Sequence, residues 1–150
     1  MPNYYSPEGN FEVWNKKPKG YFTVEEWKTM HPPEPPKIED VKSRKISEFK
    51  NKRDNEEVAP IAYNGHTFDY DDKSRERMRI ARDALTDAGG ADSIDWTTAD
   101  NQRVTITIAD FAQINALAAL RSNALHIKYN QLKAQIEAAK TIEEVEAVVW

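Results

Sequence analysis

Proline crowds the beginning of this chain and divides it into parts. Seven of the 8 prolines lie in the first 36 residues, and four of them form the run PPEPP at 32–36. Proline fixes φ and disfavours helix in the residue before it, so this run predicts a semi-rigid extended spacer. The sequence therefore predicts an N-terminal module over 1–31, a spacer over 32–36 and a larger domain over 37–150.

The composition excludes several classes of protein. The 150 residues suffice for one domain with a real core, and cysteine is absent, which excludes disulfide scaffolds and thiol catalysis. A net charge of −4 argues against general nucleic-acid binding. No stretch approaches the roughly 18 uncharged residues of a membrane span, and residues 1–10 do not resemble a secretory signal. We therefore expect a cytoplasmic protein that binds neither nucleic acid nor membrane.

The N-terminal module is rich in aromatic residues. Its first half, YYSPEGNFEVW, predicts two short strands around a turn, and Thr23 with Glu26 predicts a capping box at the start of a short helix. About 30 residues cannot support an independent core without a staple, so the module must dock on the rest of the chain or on a partner. We expect most aromatics to form a local core and one or two to face a partner. The candidates in this module are Tyr4, Tyr5, Trp14 and Trp27.

The larger domain begins with helix, hairpin and helix. Ile38, Val41, Ile46 and Phe49 share one helical face and predict a charged amphipathic helix over about 38–56. Asn64-Gly65, within the β-prone stretch 58–70, predicts a hairpin. A third pattern predicts a helix that Gly89-Gly90 ends, with apolar residues at Met78, Ala81, Leu85 and Ala88.

A second hairpin and two further helices complete the predicted elements. The hairpin spans 94–108, with Trp96 buried and with Val104, Ile106 and Ile108 on one face. Thr107 with Asp110 predicts the cap of a long helix over about 109–139. Thr141 with Glu144 predicts a last short helix that ends at Trp150. The predicted class is α+β, helix-dominated, with two short hairpins packed against the long helix.

The long helix has apolar residues on two faces. The main stripe is about 80° wide and consists of Phe111, Ile114, Ala118, Leu125, Tyr129, Leu132, Ile136 and Ala139. The second face consists of Leu117, Leu120, Ala124 and Ile127. Either both faces are buried inside the monomer, which is the favoured interpretation, or the second face meets another protein. Leu117, Leu120 and Ile127 are therefore candidate partner-binding residues. Trp150 is a further candidate, because it is either tucked into the edge of the core or a contact residue.

Residues with catalytic or metal-binding chemistry do not form a recognisable motif. His31, His66 and His126 have no ligand spacing relative to one another. Asp69, Asp71 and Asp72 lack the glycine and glutamate that an EF-hand loop requires, and with Ser74 they predict the start of a helix instead. Phosphate-binding and nucleophile-elbow glycine motifs are missing. We therefore expect no enzymatic activity, no cofactor and no metal site.

Several spaced motifs carry a resemblance to phage proteins. Over roughly 37–150 the chain resembles a domain of unknown function that recurs among bacteriophage and prophage tail genes. The residues concerned are Tyr-Asn-Gly-His at 63–66, the Asp-rich stretch Tyr70–Ser74, Ile-Asp-Trp-Thr-Thr-Ala-Asp-Asn at 94–101 and Ala-Ala-Lys-Thr-Ile-Glu-Glu-Val at 138–145. Tyr-Tyr-Ser-Pro-Glu-Gly-Asn at 4–10, followed by Tyr21 and Glu25-Glu26-Trp27, resembles the beginning of tail-fibre assembly proteins.

The resemblance implies a role in tail assembly and no catalytic residues. A tail-fibre assembly protein binds the fibre so that its trimer folds, which places the chain in the host cytoplasm during phage assembly. The alternative is a structural component of the mature tail or fibre, retained in the virion. The expected partner is a tail-fibre chain or another tail protein, and a homo-oligomer is a further expectation.

Overall fold

The computed structural model describes residues 1–87 and 92–150 and has the predicted α+β class. It forms two compact units, Met1–Lys37 and Ile38–Trp150. The first unit contains β1 (Asn3–Tyr5), β2 (Phe11–Val13), β3 (Phe22–Thr23) and α1 (Val24–Met30). The second contains α2 (Ile38–Glu57), β4 (Ile61–Tyr63), β5 (His66–Phe68), α3 (Asp72–Asp87), β6 (Ser93–Thr97), β7 (Arg103–Thr107), α4 (Ile108–Ala138) and α5 (Ile142–Ala147).

The N-terminal unit is a three-stranded antiparallel sheet with one short helix. The strand order is β2-β1-β3, and the sequence predicted only the first two strands. The predicted turn between β1 and β2 contains Gly9 at φ 89°, a conformation that suits a residue without Cβ. The predicted capping box of α1 is confirmed: Thr23 and Glu26 each accept a hydrogen bond from the other's backbone N–H.

The core of the second unit has two parts, and α4 contributes to both. The first part lies between the two hairpins, α3 and the beginning of α4, where Phe68, Phe111 and Ile114 are at most 1% exposed. The second part lies between α2, α5 and the end of α4, where Phe49, Ile136 and Val145 are equally buried. The predicted main stripe of the long helix is confirmed, because all of its residues are buried or half-buried and all except Leu125 belong to these two clusters.

Both hairpins of the second unit form as predicted. Asn64 and Gly65 have φ values of 50° and 78°, as a tight turn between β4 and β5 requires. In the second hairpin Trp96 pairs with Val104, and Trp96 is buried, as expected. Ile108 departs from its predicted place on the strand face: it is 38% exposed and is the first residue of α4, because the Thr107 cap ends the strand.

The ends of the other helices agree with the sequence in most places. The Thr141–Glu144 capping box forms, but α5 stops at Ala147 instead of continuing to Trp150. Asp71 accepts a hydrogen bond from the Ser74 N–H at 2.7 Å, which caps α3 as the acidic cluster predicted. The predicted helix residue Ala88 and the predicted stop Gly89-Gly90 lie outside the described residues. None of the helices described over 1–87 and 92–150 combines the length and apolar character needed to cross a membrane.

A set of hydrogen bonds at the edge of the core joins the first hairpin to the beginning of α4. Asp110 accepts hydrogen bonds from the Thr107 hydroxyl at 2.7 Å, from the Thr107 N–H at 2.9 Å and from the Tyr63 hydroxyl at 2.8 Å. These bonds, those of Thr107 first, lower the pKa of Asp110 below its usual 3.8. Its ionised form is therefore favoured by folding.

We predict that Asp110→Asn destabilises the second unit by about 1 kcal/mol at neutral pH, because an amide offers one acceptor oxygen where the carboxylate offers two. A lowered pKa gives stability that is present above the unfolded value, near 4, and is lost as pH falls through the folded pKa. The gap in urea midpoint between wild type and variant should therefore close below about pH 4. Asp72→Asn is the control, because that side chain is 86% exposed. A gap that is independent of pH would contradict this account.

Candidate interaction surfaces

Trp27 is the centre of the N-terminal unit. Its ring stacks on Tyr5 at 5.0 Å between centroids and on His31 at 3.8 Å, and it lies 5.7 Å from the ring of Phe22. A Cβ at Gly9 would come within 3.4 Å of the same indole, so the turn approaches the ring closely. Of the predicted partner-binding residues, Tyr5 and Trp27 thus lie in the local core. Tyr4 is half-buried and pairs with Glu12 and Thr23 in the sheet.

The β2 edge of the same sheet exposes apolar side chains. Phe11 is 56% exposed, Val13 57% and Trp14 45%, and β2 is an outer strand of the three. Glu12 accepts hydrogen bonds from the Trp14 indole at 3.0 Å and from the Tyr21 hydroxyl at 3.2 Å. Burial and this carboxylate raise the pKa of Tyr21. The hydrogen bond to Glu12 orients the Trp14 indole, and nearly half of the Trp14 surface remains in solvent.

An open apolar hollow of about 640 Å³ lies elsewhere in this unit, along β3 and α1. Its lining includes Tyr21, Phe22 and Met30, and Met30 is 49% exposed. Lys17 and Glu26, which form an ion pair, also line the hollow. Its volume falls in the range of about 300–1,000 Å³ that is typical of binding pockets, so it can accept an apolar side chain of a partner.

The second face of α4 is exposed, which overturns the favoured interpretation that both faces are buried in the monomer. Leu117 is 40% exposed, Leu120 68% and Ile127 49%, because α2, β4, β7, α3 and α5 all pack on the other side of the helix. In the described residues nothing from the second unit covers this face. The alternative, that another protein covers it, therefore remains a hypothesis with physical support.

This exposed face is uncharged along the whole helix. At about 100° per residue, the arc from 100° to 240° measured from Phe111 contains fourteen residues, all exposed, and none is Asp, Glu, Lys, Arg or His. We call this set the neutral face: Ala109, Ala112, Gln113, Ala116, Leu117, Leu120, Asn123, Ala124, Ile127, Asn130, Gln131, Ala134, Gln135 and Ala138. In a chain with 31% charged residues, a solvated helix surface of this length would normally carry charges.

The cations beside the neutral face are held by their own chain. Arg121 donates to the backbone carbonyls of Glu57 at 2.7 Å and Pro60 at 3.2 Å. The Lys128 ammonium lies 4.3 Å from the Trp150 ring centroid. Trp150 itself donates to Glu56 at 2.6 Å and packs edge-on against Phe49, so it is tucked into the core edge rather than offered to a partner. The sequence did not predict the Arg121 contacts, since they join residues about 60 positions apart.

A polar hollow of about 300 Å³ lies between the two hairpins, lined among others by Tyr63, His66 and Asp110. The hydrogen bond to Asp110 raises the pKa of Tyr63, while the hydrogen bonds from Thr107, followed by that from Tyr63, lower the pKa of the Asp110 carboxyl. Both pKa values thus move away from neutrality, which is the opposite of what general acid–base catalysis requires. Within residues 1–87 and 92–150, no group of three His, Cys, Asp or Glu side chains is placed to hold a metal ion.

Comparison with known proteins gives one match. A family model described as a domain of unknown function (DUF4376) matches residues 40–149, which is most of the second unit. No curated protein and no solved structure matches the chain.

We predict that Trp27→Ala disorders the N-terminal unit, because the half-buried Trp27 ring contacts Tyr5, Phe22 and His31 and this unit has little other core. Limited trypsin digestion followed by mass spectrometry should show much faster cleavage after Lys16 and Lys19, whereas Pro18 protects the bond after Lys17 in every variant. Trp14→Ala is the matched control and should leave the cleavage rate close to that of wild type. Equal rates for the two variants would mean that the Trp27 stack does not hold the unit together.

Proposed function

We propose that this chain, which belongs to the DUF4376 family, is an accessory protein that binds phage tail-fibre chains during assembly, without catalysis. The observation that carries the proposal is the exposed apolar edge of the N-terminal unit, at Phe11, Val13 and Trp14. The resemblance of residues 4–10 and 21–27 to tail-fibre assembly proteins supports the same unit as the binding element. The proposed place of action is the host cytoplasm while fibres are being made.

The chemistry of this edge suits a partner that has not finished folding. An incompletely folded fibre chain exposes apolar side chains and unpaired strand edges. Trp14 and Phe11 can cover the former, and aromatic residues of this kind dominate the binding energy of many interfaces. The backbone of β2, an outer strand, can pair with an extended segment. The apolar hollow beside Met30 adds a recess for one partner side chain.

The absence of a catalytic step is part of the proposal. It is supported by the polar hollow between the hairpins. There the Tyr63 hydroxyl donates a hydrogen bond to the Asp110 carboxylate, whose pKa is lowered, and this bond joins two elements of the fold. It is also supported by the exposure of large apolar side chains on both units, which is typical of proteins that act by binding.

Co-expression tests the proposal directly. We expect that expressing the fibre gene with this chain raises the yield of soluble trimeric fibre, measured by gel filtration with light scattering. An unchanged yield and unchanged trimer fraction would contradict the assembly role. Mass spectrometry of purified virions then distinguishes the alternative, a structural component of the mature tail, because that component is present at fixed stoichiometry while an assembly factor is not.

We predict that the double variant Phe11→Ser/Trp14→Ser weakens binding to the fibre chain at least tenfold, since truncating one central aromatic residue costs about 2 kcal/mol or more. Ile80→Ser is the matched control: Ile80 is 54% exposed but lies on α3 of the other unit. Calorimetry or surface plasmon resonance measures both affinities. If the double variant and the control bind equally well, the β2 edge is not the contact surface.

We also predict that the stiffness of the spacer matters. A polyproline II run extends about 3.1 Å per residue, while a Gly/Ser run is a flexible coil. Replacing Pro32, Pro33, Pro35 and Pro36 with Gly and Ser should leave the thermal unfolding of the second unit unchanged and weaken fibre binding. An unchanged affinity would show that the spacer only connects the two units.

A further inference from the structure

We infer that the neutral face of α4 is where two copies of this chain associate, as an antiparallel helix pair. This inference goes beyond the proposed function and does not depend on it, since it concerns the second unit alone. Three features of the face carry it: the spacing of its residues, the sizes of the side chains at each level and the absence of charge.

The spacing is that of a helix-pairing seam. Along the neutral face, positions 113, 117, 120, 124, 127, 131, 134 and 138 are separated alternately by four and three residues. This is the heptad spacing with which a helix faces a partner helix continuously over several turns. The seam covers about 39 Å at 1.5 Å per residue. In this chain every one of these positions is occupied by Leu, Ile, Ala or Gln, and none by a charged residue.

The side-chain sizes favour the antiparallel orientation. We align two copies in opposite directions so that the midpoints of their seams coincide. The first position of one seam then faces the last position of the other, the second faces the second-last, and so on. The central levels then place each large apolar side chain opposite a smaller or unbranched one: Leu117 against Ala134, Leu120 against Gln131, and Ile127 against Ala124. Facing positions that alternate in size interdigitate well.

The parallel orientation fits less well. It would place Leu117 on Leu117 and Leu120 on Leu120, but Ala124 on Ala124 and Ala134 on Ala134, so the levels of small side chains would be left with gaps.

The charge pattern allows two identical faces to meet. Since the neutral face has no ionised side chain, pairing it with itself neither buries an unpaired charge nor opposes like charges. The nearest cations, Arg121 and Lys128, are bound by backbone carbonyls and by the Trp150 ring of their own chain. A charged partner surface would find no opposite charge on the neutral face. A second copy presents a surface that is equally uncharged.

The area of the face sets the expected strength. A standard interface buries about 800 Å² per partner with 20–30 residues, so fourteen residues correspond to about 370–560 Å² on each copy. That is close to the smallest area of a specific dimer, about 1,000 Å² in total. We therefore expect a dimer that dissociates on dilution.

Sedimentation equilibrium over a range of concentrations tests the association. The wild type should shift from 17.2 kDa towards twice that mass as the concentration rises to a few hundred micromolar. Leu120→Glu should remain monomeric throughout with an unchanged circular dichroism spectrum, because this side chain is 68% exposed in the monomer. Ile80→Glu, which places the same charge on an exposed apolar position of α3, should dimerise as the wild type does. A wild type that stays at 17.2 kDa, or a Leu120→Glu variant that still dimerises, would overturn the inference.

Cysteine cross-linking tests the orientation, and the absence of native cysteine makes single sites unambiguous. A mixture of Leu120→Cys and Gln131→Cys chains should form a disulfide-linked heterodimer under mild oxidation, while each variant alone should give several-fold less product. Preferential linking of Leu120→Cys to itself would overturn the antiparallel orientation. If the wild type associates but neither the mixture nor the single variants form a disulfide-linked dimer, the contact lies on another surface. That result would also overturn the inference.

Discussion

The burial of one apolar stripe along α4 is the constraint on which the second unit depends. The hairpins have strands of three and five residues, too short to be stable by themselves. α2 is highly charged, and only Val41 and Phe49 are fully buried on it. Each of these elements becomes stable by packing on the same helix, with Phe111 and Ile114 at one end and Ile136 at the other. The helix therefore joins two small clusters that would each be insufficient alone.

Polar contacts then fix how the elements are arranged around that stripe. Tyr63 binds Asp110 and so connects the first hairpin to the beginning of α4. Arg121 donates a hydrogen bond to the backbone carbonyl of Glu57, at the end of α2. The Trp150 indole, which is distant from α2 in sequence, donates one to the Glu56 side chain. All of these groups lie on the packed side or at its margins. The charged residues of α4 lie on that side or at its margins, and the neutrality of the opposite side is one of the features that assign it to a second copy.

The two units offer different kinds of surface. The N-terminal unit presents an outer strand with Phe11, Val13 and Trp14, which suits an extended or incompletely folded partner. The neutral face of α4 presents a long regular helix, which suits another helix. A dimer formed through α4 would carry two N-terminal units, and two linked binding elements on a fibre made of several chains raise the effective affinity without any new contact.

The sequence by itself determined the local structure: three capping boxes, the Asn64-Gly65 turn, the two hairpins of the second unit and the bounds of α2 and α4 to within about two residues. These depend on side chains within four positions of one another, so local chemistry decides them. Phe22–Thr23 is too short to show a strand period, and its pairing with β1 was missed for that reason. Only the tertiary structure decided which apolar face of α4 is buried and that Tyr5 and Trp27 belong to a core. Both faces of the helix carry large apolar residues, and whether each face is buried depends on which elements, distant in sequence, pack against it.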